Sequence, residues 1–154
     1  FGREVVLEKP AAVVLSGFNH PLGTELQTAL NLPIFRIYWN DDVKGVELGG
    51  AHKNVMAIAV GICDGMEMGL NARSALITRG LKEMAFLGER LGAKRETFYG
   101  LSGLGDLVLT ATGDLSRNRR FGLAIGRGRP VGQALREIGT VEGYHTVRAV
   151  YHLS

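Results

Sequence analysis

Residues 41–63 read DDVKGVELGGAHKNVMAIAVGIC, and the reading of this stretch decides the fold. Asp41 or Asp42 can cap a helix, and no proline interrupts the segment as far as Ile62. From Val55 to Cys63 only Gly61 breaks the apolar run, so the helix is expected to be buried on most sides. Lys53 enters that run three or four residues from Gly49, Gly50, Met56 and Ala57. Two consecutive glycines inside a helix cost about 1 kcal/mol each relative to alanine, so something should offset them. Close approach of another backbone, or of a ligand over Lys53, is one such reason. An amine held there is suited to proton transfer. A lysine whose stem packs while its amine reaches water fits the local pattern at least as well.

Upstream, Ala11–Ser16 (AAVVLS) and Phe35–Trp39 (FRIYW) read as strands, being rich in β-branched and aromatic residues. Leu22, Leu26, Ala29 and Leu30 recur between them at helical spacing. This is one βαβ unit, too little for a domain, and it reads as the tail of a doubly wound sheet. Downstream the strand signals almost vanish. Asn71 is expected to start a helix carrying Leu76, Ile77, Leu81, Met84, Leu87 and Leu91, with Gly92 its natural end. Gly100–Gly105 leads into a helix over Asp106–Thr112; Ser116 can cap another ending near Gly126 or Gly128. Val131–Ile138 and Tyr144–Leu153 complete the helical pattern. The expected class is mainly α: residues 1–40 a Rossmann remnant, residues 41–154 an all-helical domain.

Two further segments carry possible chemistry. Asp106 in Gly103-Leu104-Gly105-Asp106-Leu107 stands one helical turn before Thr110. An acid there is usually just a favourable charge at the positive end of a helix dipole. That bland reading weakens if Asp106 meets Lys53. Ser116-Arg117-Asn118-Arg119-Arg120 offers a serine cap, free amides, guanidinium forks and a side-chain amide at one helix start, which suits a phosphate. A solvated basic turn explains it equally well.

The 154 residues are 45% hydrophobic and 21% charged, enough for a packed core. A net charge of +3, with scattered basic residues outside Arg117, Arg119 and Arg120, suggests a local anion site rather than a nucleic-acid stripe. Cys63 is the single cysteine and sits in the apolar run, so it reads as a small buried hydrophobe. His20, His52, His145 and His152 are dispersed and form no metal constellation. With no apolar run long enough for a membrane span and no signal peptide, a cytoplasmic location is expected. The chain opens on Phe1 rather than Met and is read as a fragment, truncated at its C-terminus as well.

These pieces together resemble the C-terminal part of the bacterial-type NAD(P)-dependent glycerol-3-phosphate dehydrogenases. Gly45-Val46-Glu47-Leu48-Gly49-Gly50-Ala51-His52-Lys53-Asn54-Val55 is similar to the catalytic-lysine helix of that family, and Ser74–Leu81 to the helix after it. Gly103–Thr110 and Ser116–Gly122 resemble its substrate loops, and Val141-Glu142-Gly143 its closing segment. Phe1-Gly2-Arg3-Glu4 resembles the end of its Gly-Pro-Ser/Thr-Phe-Ala segment. His52 stands where an apolar residue is usual, and Gly139-Thr140-Val141-Glu142 is one residue shorter than the usual Gly-x-Val-Val-Glu.

The resemblance implies a helical domain of the 6-phosphogluconate dehydrogenase C-terminal type. It also implies reversible NAD(P)H-dependent reduction of dihydroxyacetone phosphate to sn-glycerol 3-phosphate for phospholipid synthesis. Lys53 matches the catalytic lysine. Lys53, Asn54, Asp106, Thr110, Ser116, Arg117 and Asn118 match substrate positions, with Arg117 and Asn118 holding the phosphate. Gly2, Arg117, Val141 and Glu142 match cofactor positions. The partner implied is a small molecule, with no nucleic acid and no metal, and a homodimer is compatible with it. Because no forward G-x-G-x-x-G occurs, the fragment alone is expected to be inactive. Two other readings stand beside this one: a related helical-domain dehydrogenase for another phosphorylated or acidic molecule, and a non-catalytic helical anion- or protein-docking domain.

Overall fold

A computed structural model describes residues 2–153. Phe1 lies outside the described residues, and so does the side chain of His152. A short helix α1 (Gly2–Val6), unforeseen from the sequence, precedes strand β1 (Ala11–Ser16), helix α2 (His20–Leu30) and strand β2 (Phe35–Asn40). The strands pair in parallel, Ala11 opposite Phe35 through Ser16 opposite Asn40, as a βαβ crossover requires. Asn19 caps α2 by accepting from the Leu22 amide, and Gln27 of α2 donates back to the Ile37 carbonyl at 2.7 Å.

Helix α3 (Val43–Gly65) is the axis of the rest. Asp42 is its cap: one carboxylate oxygen accepts from the Gly45 amide, the other from the Lys94 amide and the Thr97 hydroxyl. The same side chain thus starts α3 and ties it to the 3₁₀ turn Arg95–Tyr99. Burial alone would raise the Asp42 pKa, but the hydrogen bonds from Thr97, Gly45 and Lys94 outweigh it, and the carboxyl is held below its usual value.

Helix α4 (Gly69–Arg90) starts two residues before Asn71, which therefore does not cap it. The entry is made instead by a left-handed Gly69, φ +91°, a conformation glycine adopts without steric cost. After the 3₁₀ turn come a π-type turn (Leu101–Gly105), α5 (Asp106–Thr112), α6 (Arg117–Gly126), α7 (Val131–Ile138) and α8 (Glu142–Leu153).

The main core gathers Val60, Met84, Ala85, Phe98, Leu107 and Ala111 between α3, α4 and α5. A second cluster joins Phe121, Ala134 and Val141. Cys63 is buried as expected. Helices α3 and α6 meet backbone to backbone. A Cβ on Gly61 would stand 2.2 Å from the Arg119 carbonyl, and one on Gly122 only 2.0 Å from the Ile58 carbonyl. Gly65 and Gly126 repeat the contact one turn on. Thus α6 can approach α3 only where side chains are missing, and that approach brings Arg117 and Asn118 toward the middle of α3. Among the described residues no helix is long and apolar enough to cross a membrane.

Candidate functional site

The Lys53 ammonium and the Asp106 carboxylate form a hydrogen-bonded ion pair, both partly buried. The packing of the π-type turn on α3 brings them together. A Cβ on Gly49 would lie 2.7 Å from the Ser102 carbonyl oxygen, so the missing side chain lets the turn settle against α3 and deliver Asp106 at the start of α5. One of the two helical glycines is therefore explained by a backbone approach. The other is not: Gly50 has nothing within 4 Å of where its Cβ would be.

Three helices converge beside that pair. Asn118 Nδ2 donates to Asn54 Oδ1 at 3.0 Å, and Asn118 Oδ1 accepts from the Gly143 amide at 2.9 Å. Asn54 in turn donates to Glu142 Oε2 at 3.1 Å, and Glu142 stands 3.7 Å from the Arg117 guanidinium. Asn118 is buried, and its amide bridges α6 to α3 and α8. The groups left for an anion here are the half-exposed Arg117 guanidinium and the backbone amides of Arg117 and Asn118, since the Arg120 amide bonds to the Ser116 carbonyl. The first amides of a helix lack intrahelical acceptors. Ser116 accepts from the Arg119 amide at 3.2 Å, which is the cap expected from the sequence.

A cleft of about 570 Å³ gathers Lys53, Asn54, Asp106, Thr110, Ser116, Arg117, Asn118 and Glu142 along its walls. Arg3 and Glu4 of α1 reach its rim, whereas the Cβ position of Gly2 faces open space. A second cleft, about 420 Å³, is walled by Ala12, Val14, Val46, Gly50 and Leu101 and also ends on Lys53 and Asp106. The ion pair therefore lies where a mostly apolar cleft meets a polar one.

Val141 is placed differently. Its side chain is 1% exposed and packs with Phe121 and Ala134, so only its backbone remains for a ligand. The basic cluster also comes apart. Arg117 faces the cleft, Arg119 pairs with Asp64 and Asp114, and Arg120 lines another groove with Arg127 and Arg129. Asp64 and its second partner Arg73 went unnoticed in the sequence. So did the paired Gly-x-x-x-Gly spacings 61/65 and 122/126, although that signal was legible there. His52 is buried, its Nδ1 bonded to the Leu48 carbonyl at 2.8 Å, and His20 stacks edge-on against Trp39. Among the described residues no group of three or more His, Cys, Asp or Glu side chains could hold a metal.

Residues 42–154 match the family described as NAD-dependent glycerol-3-phosphate dehydrogenase C-terminus. The chain belongs to this family. Among its relatives is glycerol-3-phosphate dehydrogenase [NAD(P)+] of Acidovorax sp. (strain JS42), 54% identical over 151 residues, covering 97% of this chain and 46% of the relative. Glycerol-3-phosphate dehydrogenase of Coxiella burnetii superposes with a TM-score of 0.93 at 49% identity, covering 99% of this chain and 47% of that one. The enzyme of Saccharomyces cerevisiae gives 0.88 at 25% identity, covering 99% and 47%. The chain thus spans about half the length of the curated relatives it matches. As a member of the glycerol-3-phosphate dehydrogenase C-terminal family, it has the mainly helical architecture that its sequence implied.

Proposed function

We propose that this chain supplies the substrate-binding and proton-transfer part of an NAD(P)-dependent glycerol-3-phosphate dehydrogenase. The observation that carries the reading is the Lys53–Asp106 pair at the junction of two clefts, with Arg117 in the polar one. The residues fit the nicotinamide end of a dinucleotide. The space left by the absent Gly50 Cβ, beside apolar Ala12, Val14 and Val46, suits a flat, weakly polar ring. When bound, that ring supplies or accepts a hydride. Gly2, Arg117, Glu142 and the Val141 backbone are the proposed cofactor contacts, and the wider pyrophosphate cradle is not encoded in these 154 residues.

Arg117 and the free amides of the first α6 turn hold the phosphate of dihydroxyacetone phosphate. Asn118 and Asn54 hold that turn in place, and Thr110 lines the wall between the phosphate and Lys53. With the phosphate fixed, the substrate carbonyl lies against Lys53, which removes most of the orientational cost of the reaction. In reduction Lys53 donates the proton that becomes the hydroxyl hydrogen of glycerol 3-phosphate, and in oxidation it takes that proton back. Asp106 keeps the amine aimed at the oxygen, and the ammonium stabilises charge building there.

The division of the chain at 40/41, the cytoplasmic location, the link to phospholipid synthesis and a homodimeric assembly belong to this proposal. A nucleic-acid partner has no place in it, since the three clustered arginines share no one surface: Arg117 lines the cleft, Arg119 pairs with Asp64, and Arg120 lines a separate groove. The test is NAD(P)H oxidation by the full-length protein. Turnover is expected with dihydroxyacetone phosphate and much less with unphosphorylated dihydroxyacetone. Equal rates on both would remove the phosphate from the reading, and no turnover on either would overturn it.

A further inference from the structure

Asp64 sits in the last turn of α3, at the negative end of the helix dipole, where an acid is unfavourable. Its side chain is only 8% exposed. Arg73 of α4 grips one oxygen through Nη2 at 2.6 Å and Nε at 2.7 Å. Arg119 of α6 grips the other at 2.8 Å. The second terminal nitrogen of Arg119 reaches Asp114 at 2.9 Å. Asp114 is 95% exposed and lies on the wall of the polar cleft, just before the Ser116 cap. Arg119 itself is 12% exposed, and its backbone amide is the one capped by Ser116.

A buried ionic cluster is commonly no more stabilising than apolar residues of the same volume, and this one adds a misplaced helix-terminal acid. Stability is therefore a poor reason for it. Geometry is a better one. Arg119 follows Arg117 and Asn118 directly, so holding both terminal nitrogens of its guanidinium fixes the turn that carries them. We propose that Asp64 and Arg119 are positioning residues: a strut from α3 through Arg119 to Asp114 that sets where the Arg117 guanidinium stands relative to Lys53. This rests on the dehydrogenase reading above.

The test is steady-state kinetics of the full-length enzyme carrying Asp64→Asn, which keeps the shape and removes the charge. KM for dihydroxyacetone phosphate should rise about tenfold while kcat changes less than about threefold, as expected when binding rather than chemistry is lost. In an Arg117→Ala background the same change should add almost nothing, because residues acting through one another are non-additive. Equal falls in kcat and kcat/KM, or losses that multiply in the double variant, would overturn the proposal. If Asp64→Asn does not fold, Asp114→Ala tests the exposed end of the strut. A KM raised about two- to threefold, the effect of a weak surface ion pair, supports the strut, and an unchanged KM overturns it. Lys53→Met separates the two claims. Inactivity of that variant together with a normal KM in Asp64→Asn sinks the strut alone, whereas full activity of Lys53→Met sinks the underlying reading.

Discussion

Lys53 and Asp106 stand 53 residues apart in the chain and meet as a hydrogen-bonded ion pair. One lies in the middle of a helix, the other at the first residue of a short one. The contact exists because Gly49 lets the intervening turn press onto α3.

Removing the amine by Lys53→Met should leave the fold intact, since methionine fills similar space without a charge. Catalysis should fall by about 10²–10⁴-fold, the range for lost general acid–base catalysis. Asp106→Asn should also lower kcat, and the double variant should be scarcely worse than Lys53→Met alone. A double-mutant cycle on kcat/KM in the full-length enzyme, with circular dichroism as the folding control, decides it. Fully multiplicative losses would mean that the two residues act independently.

Arg117→Lys keeps the charge but cannot make the planar two-point contact with phosphate that the proposed function assigns to Arg117. KM for dihydroxyacetone phosphate should therefore rise, by about ten- to a hundredfold if one charge-assisted hydrogen bond is lost. The rate on unphosphorylated dihydroxyacetone should barely move. Equal damage to both substrates would assign Arg117 some other task.

The adjacent glycines of α3 should respond in opposite ways to alanine. Gly49→Ala drives a Cβ into the Ser102 carbonyl, and overpacking of this kind costs about 1–3 kcal/mol. Gly50→Ala meets nothing and should raise stability by up to about 1 kcal/mol through helix propensity. It should nevertheless slow turnover by on the order of ten- to a hundredfold, because the methyl group intrudes where the proposed function places the nicotinamide. Thermal melts read the first effect, and kcat together with KM for NAD(P)H reads the second. A stabilised variant with wild-type kinetics would empty the apolar cleft of its proposed role.

Asp42 makes stability depend on pH. Its carboxyl is held below the usual value in the folded chain, so its contribution is present at neutral pH. It is lost as pH falls through the ordinary carboxylate range, about 4 and below. Asp42→Asn keeps one acceptor where the carboxylate has two. It should cost about 1–3 kcal/mol at pH 7, the penalty for stranding a buried donor. That gap should close in acid, because the wild-type side chain is then neutral as well. Denaturant unfolding of both proteins across pH 3–7 would show it, and a gap independent of pH would contradict it.

Much of the fold was legible along the chain. The strands Ala11–Ser16 and Phe35–Trp39 announce themselves by β-branched and aromatic runs, the second extending one residue further, to Asn40. The long helix follows from an aspartate cap, the absence of proline and the apolar run from Val55 to Cys63 that only Gly61 breaks, and Ser116 marks the start of α6. These are local signals, written within one or two turns of the residues they describe. Local patterning missed α1, read the start of α8 two residues late, and misplaced the start of α4, which the left-handed backbone of Gly69 opens ahead of Asn71.

What tertiary structure alone decided is which residues share a surface. Arg117, Arg119 and Arg120 are neighbours in sequence, yet helical geometry turns successive side chains by about 100°. They part toward the cleft, a buried acid and a separate groove. Asn118 reads as a phosphate ligand in one dimension and as a buried bridge between α3, α6 and α8 in three. Asp64 carries no signal in its own neighbourhood, because its two arginines come from other helices. Local chemistry determined the elements and their ends. The approach of α6 to α3 through paired glycines determined the site, because it depends on side chains absent from two segments some sixty residues apart.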